Sequence, residues 1–126
     1  RNPDGELENR RMFVTIDPSD GRPDGLTVDN EGCIWLAHWG GYRVTRFTPE
    51  GEVDGIVPIP APQVTSCTFG GEDMSTLFIT TAARNVDLQR YPHAGGLFCV
   101  NTTVTGNAVE PFRISESVSV FEVGVP

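Results

Sequence analysis

The feature of this sequence that most restricts its fold is a series of short strand-like segments that recurs along the chain. Three pairs of segments repeat, with offsets of 41, 43 and 55 residues: 25–31 with 66–72, 34–37 with 77–80, and 41–44 with 96–99. The last offset is longer because it contains a longer predicted loop, 82–94. Strand–turn–strand units that recur at about 40–50 residues are typical of β-propeller blades. Each blade is a four-stranded sheet that needs neighbouring blades to cover its faces.

The segments themselves have the character of β-strands. They are rich in β-branched and aromatic residues, and Gly, Pro, Asn or Asp bounds each one. In the first part of the chain the predicted strands are 11–16, 25–29, 33–38, 43–47 and 55–59. Pro58 in the last of these favours an edge position. Because no window carries a sustained apolar period of about 3.6 residues, no helix is predicted and the fold class is all-β.

The chain length sets the number of blades. At about 40–55 residues per blade, 126 residues hold roughly two and a half blades, fewer than the four or more that close a ring. We therefore expect a partial propeller, either a fragment or a chain that self-associates or pairs with a complementary chain, since open sheet edges promote association. The predicted single domain divides into the end of one blade, a second blade, a third blade and an extra strand, at 1–20, 21–62, 63–114 and 115–126.

Charge and cysteine usage exclude several classes of function. The net charge is −8, with nine Arg and no Lys, so nucleic acid is not an expected partner. The acidic surface either attracts a cation or simply stays hydrated. No apolar run approaches the ~18 residues of a membrane span. Cys33, Cys67 and Cys99 are odd in number and lack C-x-x-C spacing, which predicts buried thiols in strands and a reducing, cytoplasmic compartment.

A few polar and aromatic residues are candidates for a site. Asp24 precedes Gly25, which is the pattern of a simple turn, and Thr65 occupies the equivalent repeat position 41 residues later. His38 and Trp39 follow a predicted inner strand, where they could contact a ligand or pack between blades. Arg84 lies in the long loop, where it could contact a ligand. The sequence contains no nucleophile elbow, phosphate-binding glycine loop or H-E-x-x-H motif.

An ordered series of motifs resembles one known family. The segments are RPDGLTVDNEGCIWLA at 22–37, WGGYRV at 39–44, TSCTFGG at 65–71, LFIT at 77–80 and AGGLF at 94–98. In this order and spacing they closely resemble the senescence marker protein/gluconolactonase/regucalcin family of six-bladed propellers, over about residues 4 to 113. The resemblance implies the C-terminal part of such a propeller.

The resemblance also implies a mechanism. In the family a divalent ion, calcium or zinc with magnesium and manganese as further candidates, lies at one mouth of the central channel. It polarises a lactone carbonyl, and a carboxylate assists the attacking water. The Asp of the Pro-Asp-Gly motif, Asp24 here, is a metal ligand and has been assigned the general-base role. The family's other ligands, an N-terminal Glu and two Asn, have no matching position in this chain.

The C-terminal segment 117–126 alternates and resembles the family's first strand, which helps to close the ring. The alternative is an unrelated strand. The leading functional hypothesis is metal-dependent hydrolysis of a sugar lactone, with Asp24 as catalytic and metal residue. Thr65, His38, Trp39 and Arg84 are candidate substrate contacts. The alternatives are a non-catalytic propeller fragment or assembly module, and a calcium-binding protein without hydrolase activity.

Overall fold

The computed structural model describes residues 4–108, which contain β-strands and one short 3-10 turn. The turn is Pro18–Asp20, and the strands are β1 Arg22–Val28, β2 Ile34–Trp39, β3 Arg43–Phe47, β4 Val53–Pro58, β5 Gln63–Gly70, β6 Thr76–Ala82 and β7 Leu97–Asn101. The all-β prediction is confirmed. No helix in this described part of the chain is long and apolar enough to span a membrane.

The strands form two antiparallel meanders that join at one point. The first sheet is β1–β2–β3–β4 and the second is β5–β6–β7. A single pair, Trp39 with Gln63, connects β2 to β5. Strand β4, which contains Pro58, pairs only with β3, so the predicted edge position of this proline is confirmed.

The core lies between the two sheets. Trp35, Ala37 and Val44 face it from the first sheet, and Phe69 and Ile79 are among the residues that face it from the second. The rings of Trp35 and Phe69 meet edge to face, with centroids 5.6 Å apart. This packing of one sheet against the next is the arrangement of neighbouring propeller blades.

A buried carboxylate holds the β1–β2 turn. Asp29 is 1% exposed and accepts hydrogen bonds from the backbone of Glu31 and Cys33, from the Trp35 indole at 2.8 Å and from Arg46 at 2.8 Å. Burial raises the pKa of Asp29, but these donors outweigh it and hold the pKa below its ordinary value. Asn107 donates to the Asp29 carbonyl, so the residues after β7 return to the first sheet.

Some sequence predictions fail. Segment 11–16 forms no strand, because it has no strand partner among the described residues; instead Phe13 packs edge to face on Phe47, with ring centroids 6.4 Å apart. Cys33 and Cys67 are buried thiols as predicted, although Cys33 lies just before β2 and not within a strand. Cys99 is exposed, because it lies on the outer face of β7. Phe78, which occupies the repeat position of the buried Trp35, is only half-buried, since it shares that outer face.

The extra strand predicted at 115–126 lies outside the described residues. The predicted blade boundaries at 21–62 and 63–114 stay a prediction.

Candidate functional site

The sequence candidates gather at one end of the sheets, which we call the mouth end. It is the edge at which the odd-numbered strands begin and the even-numbered strands finish. The register shows this, because Arg22 pairs with Trp39, Gln63 with Ala82, and Leu97 with Thr80. Asp24, Thr65, Trp39 and the loop that carries Arg84 lie at this end.

Two β-bulges shape the mouth end. In β1 the register shifts between Pro23 and Leu26, so Asp24 and Gly25 together oppose one residue of β2. In β5 the register shifts between Val64 and Ser66, so Thr65 is the extra residue. Bulges bend a strand and redirect side chains, and they are frequent next to active sites. Asp24 and Thr65, which are equivalent in the repeat, therefore both lie on a β-bulge.

The Asp24 carboxylate is exposed and makes no hydrogen bond or ion pair with the described residues. Gly25 beside it lets β1 approach β5, because a Cβ at this position would overlap the Ser66 side chain and lie 2.8 Å from the Thr65 carbonyl oxygen. The close approach leaves a free carboxylate at the seam between the two inner strands. This is the arrangement of an acceptor group available to a ligand.

Residues 4–108 do not form a metal site on their own. No group of three or more His, Cys, Asp or Glu side chains within this range could hold an ion. Asp24 supplies one oxygen ligand, whereas Ca²⁺ takes about six to eight and structural Zn²⁺ about four. A complete ligand set would have to include groups outside the described residues.

The other candidates have different surroundings. Thr65 is half-buried, and its hydroxyl lies 2.7 Å from that of Thr80, so one of these hydroxyls already partners the other. Trp39 is half-buried at the junction of the two sheets. Arg84 is exposed in the β6–β7 loop. A substrate contact by any of them stays a prediction.

His38 points into the protein. It is 2% exposed, and its Nδ1 lies 2.9 Å from the backbone carbonyl oxygen of Asp20. Burial is the main cause that lowers the pKa of His38, and the charge of Arg43 lowers it further. A substrate would have to enter the interior to touch this ring.

Sequence reasoning missed the residues that surround His38. Arg43 pairs with His38 across β2 and β3 and forms an ion pair with the Asp20 carboxylate. Asp20 lies in the turn just before β1, so these contacts fasten the backbone that leads to Asp24. Strand alternation could have placed His38 and Arg43 on one face, but no sequence pattern predicts the return of residue 20 to that face.

The mouth end also carries an aromatic pair that was not predicted. Tyr42 in the β2–β3 turn and Tyr91 in the β6–β7 loop have ring centroids 5.6 Å apart, and their hydroxyls are 3.1 Å apart. The Arg90 guanidinium lies 5.2 Å from the Tyr91 ring centroid. These contacts dock the long loop on the first sheet.

The sequence is similar to one protein family and to named lactonases. The family model described as "SMP-30/Gluconolactonase/LRE-like region" matches residues 1–83. YvrE of Bacillus subtilis (strain 168), provisionally named a sugar lactone lactonase, is 42% identical over 113 residues, which is 86% of this chain and 38% of that protein. L-arabinolactonase of Azospirillum brasilense is 38% identical over 113 residues, which is 87% of this chain and 37% of that protein.

The fold comparison agrees with the sequence comparison. The crystal structure of a calcium-binding protein, regucalcin, from Agrobacterium tumefaciens superposes with a TM-score of 0.76 and 30% identity, covering 82% of this chain and 36% of that one. The two meanders are therefore a partial propeller. This chain spans a little over a third of the length of these relatives.

Proposed function

Because this chain belongs to the SMP-30/gluconolactonase/LRE-like family, we propose that it forms part of an enzyme that hydrolyses sugar lactones, with Asp24 at the reaction centre. The observation that carries the proposal is the free, exposed Asp24 carboxylate on the β1 bulge at the mouth end. Residues that only stabilise a turn normally have local hydrogen-bond partners, as Asp17 and Asp73 do here with Ser19 and Ser75.

The chemistry of lactone hydrolysis suits such a group. Water attacks the lactone carbonyl, and a carboxylate within hydrogen-bond reach accepts the proton that the attacking water loses. Asp24 is the acceptor that this chain provides. A divalent ion, calcium or zinc by resemblance, would supply positive charge for the oxyanion when bound. Thr65, Trp39 and Arg84 share the mouth end with Asp24 and are the proposed contacts of the sugar hydroxyls and ring.

The test compares Asp24→Asn with a matched control. Hydrolysis of D-glucono-1,5-lactone and L-arabinono-1,4-lactone is followed by acid release, with and without a chelator. We expect the Asp24 variant to lose at least about a hundredfold in rate, the lower range for a positioned proton acceptor. Asp54→Asn, another exposed carboxylate at the far end of the sheet, should retain the rate of the unaltered chain. Equal rates for both variants would refute the role of Asp24.

A calcium-binding protein without hydrolase activity is the second candidate. The regucalcin structure from Agrobacterium tumefaciens, whose fold this chain shares in part, carries the description of a calcium-binding protein. Calorimetric titration with Ca²⁺ distinguishes the candidates. Ca²⁺ binding that depends on Asp24, without turnover of either lactone, would favour this one.

We also propose that the partial ring is completed by a second copy or a complementary chain, and that the protein works in a reducing, cytoplasmic compartment. Exposed apolar side chains on the outer faces of both sheets, Leu26 on the first and Leu97 on the second, support the first point. The free thiols of Cys33, Cys67 and Cys99 support the second.

A further inference from the structure

The only two tyrosines of the sequence, Tyr42 and Tyr91, lie against each other at the mouth end. They are 49 residues apart in the chain, one in the β2–β3 turn and the other in the β6–β7 loop. The Tyr42 hydroxyl donates a hydrogen bond to the Tyr91 hydroxyl, with 3.1 Å between the oxygens, and the ring planes are inclined by 51°. The contacts between the rings involve neither Asp24 nor Thr65, so a reaction of this pair does not depend on lactone hydrolysis.

The backbone holds both rings in place. Tyr42 has a φ of 58°, a left-handed conformation that bulky residues rarely adopt, and its carbonyl accepts a hydrogen bond from Ile59 N at 2.7 Å. Tyr91 N donates to the Asp87 carbonyl at 2.9 Å, and the Tyr91 carbonyl accepts from Ala94 N at 3.1 Å. The contact therefore joins two fixed turns of the backbone and not two freely moving side chains.

The pair is open to a reagent in solution. Tyr42 is 40% exposed and Tyr91 is half-buried. Both lie in connections between strands and not on the sheet faces that we expect to pack on another copy. An oxidant can therefore reach the phenol groups.

The arrangement suits one reaction of paired phenols, oxidative coupling. A one-electron oxidant removes an electron and a proton from each phenol and leaves two neutral phenoxyl radicals. Because each electron leaves with a proton, no positive charge accumulates beside the Arg90 guanidinium, which lies 5.2 Å from the Tyr91 ring centroid. The new C–C bond joins the ring carbons next to the two oxygens, and the hydrogen on each of these carbons moves to its neighbouring oxygen. The coupling therefore requires two hydroxyls side by side, as they are here.

We propose that Tyr42 and Tyr91 are an oxidative cross-linking site, at which a peroxidase and hydrogen peroxide convert the pair to dityrosine. The two electrons and two protons that the phenols lose reduce one hydrogen peroxide to two water molecules. The product joins the β6–β7 loop to the first sheet by a covalent bond. The loop is already held at its base, where the Thr81 hydroxyl donates to the Gly96 carbonyl at 2.8 Å, so the cross-link adds a second fixed point.

The test treats the full chain, at low protein concentration, with a haem peroxidase and hydrogen peroxide. We expect the monomer to lose the mass of two hydrogen atoms and to gain the fluorescence of dityrosine. Trypsin cleaves after Arg43 and Arg90, so the two tyrosines of the untreated chain fall in separate peptides, which should stay joined after treatment. A covalent dimer in place of the altered monomer would overturn the proposal, because its tyrosines would have coupled between chains. An unaltered chain, under conditions in which free N-acetyltyrosine couples, would overturn it as well.

The role of the geometry is tested by moving one tyrosine. Tyr91→Phe combined with Leu88→Tyr keeps two tyrosines but shifts one to another exposed position of the same loop. The yield of cross-linked monomer should fall about tenfold or more, because the fixed approach of the two rings is lost, and an equal yield would overturn the proposal. Cys99→Ser provides a second check, since Cys99 is an exposed thiol that competes for the oxidant. We expect this variant to give a higher yield, and the absence of the cross-link even here would overturn the proposal.

Discussion

At the scale of single residues, Asp29 carries more of the structure than its place in a turn suggests. Its carboxylate is 1% exposed and joins the turn, the core Trp35 and the Arg46 side chain. Arg46 also forms ion pairs with Glu31 and Asp54, which are much more exposed. Removal of the buried Asp29 carboxylate should therefore lower the free energy of unfolding much more than removal of the exposed Asp54 carboxylate.

We predict that Asp29→Ala lowers the free energy of unfolding by about 3–5 kcal/mol, because it leaves buried donors and the Arg46 charge unpaired. Asp54→Ala removes an exposed partner of the same arginine and should cost less than about 1 kcal/mol. Urea denaturation of both variants measures the difference. If Asp29→Ala cost as little free energy of unfolding as Asp54→Ala, water would have to be pairing with the donors that Asp29 leaves behind.

His38 predicts a pH dependence of stability. Its pKa is lowered on folding from the ordinary 6.5 by burial, so the unfolded chain binds its proton first as the pH falls. The stabilisation is fully present above pH 6.5 and is lost as the pH falls towards the folded pKa. His38→Asn keeps a donor for the Asp20 carbonyl but cannot titrate. The drop in unfolding free energy between neutral and mildly acidic pH should be smaller in this variant, and an equal drop would exclude His38 as its source.

At the scale of elements, the contact between β1 and β5 depends on Gly25. A Cβ there would overlap Ser66 and crowd the Thr65 backbone, so the inner strands would have to separate. We predict that Gly25→Ala destabilises the fold by about 1–3 kcal/mol, the usual range for overpacking. Gly55→Ala in β4 is the control, since a Cβ added at this position would lie 4.0 Å from its nearest neighbour, Arg46 Cβ. Thermal unfolding measures the transition temperatures of the two variants, and we expect that of Gly25→Ala to be lower. Equal transition temperatures would contradict this prediction.

The elements differ in how well their bounds and contacts could be predicted from the sequence. The repeats predicted β2 and β3 almost to the residue, because each is an apolar run between turn residues. They also paired Asp24 with Thr65, whose bulges coincide. The prediction of a strand at 11–16 failed because a strand needs a pairing partner, and the local sequence pattern does not show whether one exists. The links from Asp29 to Arg46 and from Asp20 to His38 were not predictable, since they join positions 17 and 18 residues apart through the fold.

At the scale of the whole molecule, the repeat explains why Phe78 is not buried. Trp35 and Phe78 occupy equivalent repeat positions, and Trp35 packs on Phe69 of the second sheet. The second sheet covers Trp35, but nothing in the described residues covers the face of Phe78, Cys99 and Leu97, where Leu97 is 67% exposed. The opposite face of the first sheet exposes Leu26 and Ile56. Phe13 and Asp20 cover part of that face through their contacts with Phe47 and His38, so it is only partly open. Because each propeller sheet packs on its neighbours, we expect these two faces to meet in a blade-to-blade contact.

Such faces predict head-to-tail association, in which the second sheet of one copy packs on the first sheet of another. We expect the weight-average mass in sedimentation velocity to rise with concentration. Leu97→Thr should reduce this rise, because it removes apolar area from the outer face. Leu88→Thr is the matched control, since Leu88 is 52% exposed but lies in the β6–β7 loop rather than on a sheet face. A monomer at every concentration would mean that the exposed faces do not recognise one another, and an equal effect of both substitutions would indicate non-specific hydrophobic association instead of ring building.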